Sequence, residues 1–346
     1  MDLTNKLRAL RLRRGITQET LAEAMGVSAQ AVSKWERGAA MPDIAVLPEL
    51  AVYFGVSLDE LFGLTEEKEY DRIQNMLWDK RLLTEQEFRQ AADWLDGRIA
   101  AGSRTADCRR LKADLCNHQS DILREQAAEE ARAALEADPA CSGALQELNQ
   151  AMGGYIPDWC VRNHHRLIAL YQELVRRQPQ NRGAYLWLLD NLIDDGRFDE
   201  AEQALQGLAS VDNSYRTPLY RGLLLWHRGR REEAHVIWEQ MERDNPDDWC
   251  CWFSLGDIAA MELRYSDAIA CYRRGIALQK APRYVDGYVS IAQICEILGD
   301  TDAAIAAREE ELEILAREWN TTDGETAEAV RREIARLRGR NRSAAN

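Results

Sequence analysis

Ala201, Ala234 and Ala268 stand 33 and 34 residues apart, and each is followed four positions later by a larger residue: Leu205, Trp238 and Tyr272. A small residue recurring at that interval marks a helix pair that repeats, each pair stacking on the next through a close approach. A single pair cannot bury its apolar face alone, so this period commits the chain to a stack of helices. Gly196, Gly229 and Gly299 fall at turns between paired helices, and Pro139, Pro179 and Pro246 each close a helix.

With Trp252, Leu255, Gly256, Ala268 and Tyr272, the pattern resembles the tetratricopeptide (TPR) repeat of about 34 residues. Residues 196–201 (GRFDEA) and 299–304 (GDTDAA) resemble that family's turn into its second helix. Repeats are expected near 108–141, 148–181, 182–214, 215–248, 249–284 and 285–318. The last four are clear and the first two degenerate; Ala127 and Ala304 extend the small-residue position, and Gly153 to Pro157 disturb the second repeat. The resemblance implies an α-solenoid over 108–320, curved around a groove lined by the first helix of each pair. Onto that groove map Trp187, Asp190, Asn191, Arg216, Tyr220, Trp226, Phe253, Asp257, Gln293 and Glu296. Aromatics beside amides and carboxylates suit an extended peptide; the same aromatics equally suit packing between repeats.

The first 64 residues follow another pattern. Thr17 can cap a short helix that opens with Gln18 and Glu19, Gly26 falls where the chain must turn, and Ser28 can cap a second helix running to Arg37. Ala22, Gly26 and Val32, spaced four and then six residues, have the spacing of a helix-turn-helix. A preceding helix is expected over Asn5 to Arg13, a following one over Ile44 to Phe54 capped by Asp43, and a last short one after Ser57.

From Leu3 to Gly63 this stretch resembles the lambda repressor/Cro-type (XRE) family, through Gly15-Ile16-Thr17-Gln18, Val32 to Gly38, and the run from Leu50 to Ser57. The resemblance implies a five-helix head, most members of which read double-stranded DNA as two-fold dimers. It also implies a structural ion pair between Arg11 and Glu36. Ala29, Gln30, Ser33 and Lys34 match the family's base-contacting positions, with Arg37 at the end of the same helix. Gln30 suits an adenine edge, Lys34 guanine acceptors and Ala29 a thymine methyl. Thr17, Gln18 and Ser28, at helix N-termini, suit phosphates. Trp35 is expected in the core.

The chain of 346 residues carries a net charge of −14, which alone would disfavour nucleic acid. Its distribution reverses that inference: residues 1–37 hold seven Lys/Arg against four Asp/Glu, and the acidity lies later. Eight cysteines form no Cys-x-x-Cys and have no His pair at zinc spacing, so most are expected as small buried residues. His164-His165 point about 100° apart on a helix and make no metal pair. No apolar run reaches the roughly 20 residues of a membrane span and no leader is evident, so a cytoplasmic protein without membrane contact is expected. Phosphate-loop, Gly-x-Ser-x-Gly, His-Glu-x-x-His and dinucleotide signatures are missing, so neither enzyme nor cofactor is expected.

Together these features describe an all-α chain: a head over 1–64, a helical connector over 65–107 with a break near Thr84, a solenoid over 108–320, and a basic tail over 321–346. That tail holds Arg331, Arg332, Arg336, Arg338, Arg340 and Arg342. It suits either an anionic partner or a solvated capping helix. The architecture is similar to the peptide-pheromone receptors of Gram-positive bacteria, in which a short peptide in the groove changes how two heads are presented. That resemblance implies a homodimeric transcriptional regulator with a sensor body. A TPR interaction scaffold tethered to DNA remains the alternative.

Overall fold

The computed structural model describes residues 3–62 and 66–344, with twenty α-helices and no strand among them. Five helices build the head: α1 (Leu3–Arg13), α2 (Gln18–Ala24), α3 (Ala29–Glu36), α4 (Val46–Phe54) and α5 (Leu58–Leu61). Leu7, Leu21, Val32, Trp35, Leu50 and Leu61 close its core. Thr17 Oγ1 accepts from the Thr20 N–H and Ser28 Oγ from the Ala31 N–H, both at 3.2 Å, which satisfies one open amide at the start of each helix. Gly26 turns between them at φ +63°, a conformation that costs other residues roughly 1–2 kcal/mol.

Three boundaries differ from expectation, the slightest being α3, which ends at Glu36 with Arg37 as its C-cap. Leu3 belongs to the core, so α1 starts two residues early. α4 starts at Val46 because Asp43 Oδ1 accepts from the Ala45 N–H, a side-chain turn that leaves Ile44 82% exposed outside the helix.

Gly63 to Thr65, the centre of the expected linker, lie outside the described residues. The connector forms α6 (Glu66–Asp79) and α7 (Glu85–Ala100). They break at Thr84 because Thr84 and Glu87 make a reciprocal capping box.

The expected first repeat is not a helix pair. Residues 108–141 lie almost wholly in one 33-residue helix, α8 (Thr105–Ala137). No Gly or Pro interrupts 105–137, so nothing turns the chain back. Leu111 and Leu115 of α8 pack with Ile73 and Leu95 of the connector. Ala127, offered as a small-residue position, is exposed; its neighbour Ala128 is buried. The chain divides into two compact units, 1–123 and 124–346, with the boundary inside α8.

In the second unit α9 (Ala144–Ala151), α10 (Trp159–Arg162) and α11 (His165–Arg177) replace the expected second repeat. Regular pairs follow: α12 (Arg182–Asp194) with α13 (Phe198–Val211), α14 (Arg216–His227) with α15 (Arg231–Asp244), α16 (Trp249–Met261) with α17 (Tyr265–Leu278), and α18 (Asp286–Ile297) with α19 (Thr301–Glu318). Ala201, Ala234, Ala268 and Ala304 are all fully buried, as their spacing requires. Gly222 shows how tight the pairs are: a Cβ there would sit 2.0 Å from Trp238 Nε1.

The basic tail is α20 (Gly324–Ala344), and it caps the stack. Ala327, Val330, Ile334 and Leu337 are buried. Its arginines turn to nearby acids: Arg336 and Arg340 to Glu296 at 2.7 and 3.2 Å, Arg338 to Glu309 at 2.6 Å. The side chain of Arg342 lies outside the described residues. All eight cysteines are free, but only Cys108, Cys251 and Cys295 are buried; Cys116 and Cys160 lie on the outer faces of α8 and α10. Among the described residues, no helix is long and apolar enough to cross a membrane.

Candidate functional site

In the head, α3 has a fixed back and an open front. Val32, Trp35 and Glu36 are buried, whereas Gln30, Lys34 and Arg37 are exposed and Ala29 and Ser33 half-buried. Glu36 closes a polar network. Arg11 donates to both of its oxygens at 2.6 and 2.9 Å and to the Ile16 carbonyl at 2.8 Å, and Gln18 Nε2 donates to Glu36 Oε2 at 2.8 Å. Burial opposes the charge of Glu36, but the hydrogen bonds from Arg11 and Gln18 and the Arg11 charge outweigh it and hold the carboxyl below its usual range. The same pairing raises Arg11.

Gln18 Nε2 gives one of its two donors to Glu36, so the amide expected to meet a phosphate also helps hold the back of α3. Thr17 and Ser28 spend an acceptor on their caps, and Ser28 keeps its hydroxyl proton as a donor. Arg37 Nε donates to the Ser33 carbonyl at 3.2 Å, and its outer guanidinium nitrogens have no hydrogen-bond partner among the described residues. The front of α3 thus presents an amide, an ammonium and a guanidinium beside two small side chains, a donor-rich strip on a rigid element.

The expected groove residues lie on α12, α14, α16 and α18, the first helices of the four pairs. The structure brings Asp190, Tyr220 and Asp257 together. They line one open cavity of about 190 Å³ with Leu219, Leu223, Ser254, Ile258 and Met261. Tyr220 donates to Asp190 Oδ1 at 2.7 Å, and Tyr272 to Asp257 Oδ1 at 2.6 Å. Solvent reaches both carboxyls through the groove mouth, yet the protein around them excludes enough water that burial pushes both pKa values up.

Three expected groove residues are taken up elsewhere. Phe253 packs edge-on against Trp249 and Tyr272, Trp226 packs against Trp238 under Arg231, and Glu296 is held by α20. Asn191 Nδ2 donates to the Trp187 carbonyl, and Arg216 lies over Tyr215. Trp187 and Gln293 are exposed away from the cavity. The apolar wall was missed. Its signal is helical spacing, since Leu219 and Leu223 lie four apart and Ser254 precedes Asp257 by three.

His164 is paired with neither His165 nor a cysteine. Its ring lies with Asp194 and Asp195, where His, Asp and Asp ligand atoms fall within 4.8 Å. Both Asp195 oxygens already accept from the His164 backbone N–H, and one also meets Nδ1 at 2.7 Å, so the cluster reads as a clasp between segments.

Comparison with known proteins places these two regions. The helix-turn-helix family matches residues 7–61, and the tetratricopeptide repeat matches 168–214, 219–276 and 262–317. The HTH-type transcriptional activator BcrR of Enterococcus faecalis is 43% identical over 63 residues, which are 18% of this chain and 31% of that protein. The chain thus spans about a third of BcrR. The uncharacterized HTH-type transcriptional regulator YgzD of Bacillus subtilis is 34% identical over 65 residues, 19% of this chain and 98% of YgzD. A tetratricopeptide repeat protein from Parabacteroides merdae is 17% identical, with 78% of this chain and 97% of that one covered at a TM-score of 0.38. By its head, this chain belongs to the helix-turn-helix family of transcriptional regulators, and C-terminal to that head it carries tetratricopeptide repeats.

Proposed function

We propose that this protein is a cytoplasmic, homodimeric regulator that reads an inverted-repeat operator through α3, and that its repeat groove takes a short peptide that alters operator affinity. One observation carries the DNA reading: Gln30, Lys34 and Arg37 stand exposed on a helix whose back is locked by Arg11, Gln18 and Glu36. Side chains that must match base edges need such a rigid mount, because each misplaced donor loses its bond. Thr17 and Ser28 flank the strip at helix N-termini, where phosphates are stabilised.

A cavity crossing three successive repeats supports the ligand reading, since an extended chain laid along the groove would meet all three. Two-fold pairing of the heads on an inverted repeat requires a dimer contact elsewhere in the chain. A ligand changes DNA affinity only if it prefers one arrangement of the dimer.

Genome-wide occupancy in the host, with transcript levels, tests the regulator. Binding at a few sites whose transcription changes on deletion supports it; diffuse occupancy with unchanged transcription supports the tethered scaffold. Mass spectrometry of protein purified from its host tests the sensor. If no peptide co-purifies and culture extracts never change operator affinity, the sensor reading falls and the DNA reading stands.

A further inference from the structure

One cavity in the stack shows how a repeat closes. It holds about 330 Å³ where Glu239 and Glu242 of α15 face Leu255 and Ala259 of α16, and Cys271 of α17 shuts it. The same register recurs at the end of the stack. Glu309 and Leu312 follow Ala304 of α19 by five and eight residues, as Glu239 and Glu242 follow Ala234. Ile334 and Ala335 of α20 repeat the large-then-small step of Leu255-Gly256 and Ile291-Ala292. With Arg331, Arg338 and Gly339, these residues frame a cavity of about 560 Å³. No helix among the described residues stands where α17 would shut it.

Among the described residues α20 is therefore a first helix without a second. Gly256 is buried in α16, and a Cβ there would lie 2.8 Å from Tyr272 of its own second helix. Ala292 is fully buried at the same place in α18. Ala335 is exposed, and so is Gly339 one turn on, where an added Cβ would meet nothing within 4 Å. A terminal helix of a solenoid ordinarily turns a polar face outward. The outward face of α20 is instead small and apolar at its centre, with Arg331 and Arg338 about two turns apart on either side.

Charge indicates which helix fits. Arg338 meets Glu309 at 2.6 Å, and Arg331 meets Glu328 and the Thr322 carbonyl, but a guanidinium carries five donors, so both keep some for a partner. The chain's own second helices show the complementary chemistry. α15 holds five acids against two arginines and lays Trp238 over Gly222 of its first helix. We propose that the groove between α19 and α20 binds an acidic amphipathic helix of a partner protein, seated where a second helix would pair with α20. Bulky residues three and four apart on that helix fill the cavity over Ala335 and Gly339, and its carboxylates meet Arg331 and Arg338. The groove shares no residue with α3 or with the cavity beside Tyr220, so it stands or falls apart from the operator and the peptide.

Fluorescence anisotropy of the full-length protein tests it, with a labelled, hydrocarbon-stapled peptide of residues 231–245 as the probe. A second probe carries Glu232→Gln, Glu233→Gln, Glu239→Gln and Glu242→Gln. The acidic probe is expected to bind at least about tenfold more tightly than the neutral one, and less tightly as salt rises. Ala335→Trp fills the cavity from an exposed position, and it should weaken the acidic probe at least about tenfold with circular dichroism unchanged. Arg331→Gln plus Arg338→Gln should bring the two probes to similar affinity. Failure of the acidic probe to bind overturns the proposal, as does binding that Ala335→Trp leaves intact or equal binding of both probes to the native protein. Self-association that Ala335→Trp abolishes, with no probe bound, gives the groove to a second copy of this chain and overturns the acidic partner.

Discussion

Glu36 in the head is buried and Asp257 in the groove is exposed, and their carboxyls have opposite partners. Glu36 receives two bonds from Arg11 and one from Gln18, and its pKa is lowered. Asp257 receives one phenol bond, and its pKa is raised by burial. A closed network uses its charge to hold a backbone still; an open one keeps its charge available. The head therefore displays its function on the outer face of a locked helix, whereas the repeats hold unmatched polarity inside a groove.

The largest expected effect comes from opening the closed network. Arg11→Ala strands a buried carboxylate and should cost about 3–5 kcal/mol, read by denaturant unfolding of the first unit. The network also sets a pH dependence. Because the folded pKa of Glu36 is lowered, its stabilisation is present above the ordinary value of 4.5 and fades as pH falls through the lowered value.

In the repeats, Gly222→Ala drives a methyl into Trp238 and should destabilise the second unit by about 1–3 kcal/mol. Thermal unfolding checks it: an unchanged melting temperature would mean that Trp238 gives way to the methyl at no cost. Lys34→Ala should leave folding unchanged and relax discrimination at one base pair by about 1–3 kcal/mol, measured by competition between duplexes.

The smallest effect is the most diagnostic of the difference. Asp257 has a raised folded pKa, so its charge opposes folding at neutral pH, and that cost vanishes below the ordinary value of 3.8. Asp257→Asn should therefore raise the melting temperature slightly at pH 7 and leave it unchanged near pH 3. A fall at pH 7 would mean that the carboxylate is already matched within the fold.

The head was legible because its signals are local. Thr17, Gly26 and Ser28 act within a turn of where they stand, and each sits where its spacing put it. The four regular repeats were legible from Ala201, Ala234, Ala268 and Ala304 because close packing admits nothing larger there. The region of 108–167 differs from the expected repeats, because small residues are common in any helix. In α8 the missing Gly and Pro were better evidence than Ala127. The cavity was legible only in part. Asp190, Tyr220 and Asp257 followed from the repeat register, but Phe253 and Glu296 carried the same register into packing and into α20. Side-chain direction and the path of the C-terminal helix decide that, and neither is written locally.

Readout by α3 is tested by selection from a pool of randomised duplexes by the full-length protein, repeated with Gln30→Ala plus Lys34→Ala. The native protein is expected to enrich one inverted repeat with half-sites about one helical turn apart. Its affinity should fall steeply as salt rises, and the double variant should lose the enriched bases while salt-dependent binding persists. Enrichment of the same bases by the double variant, or of no sequence by the native protein, would contradict readout by α3.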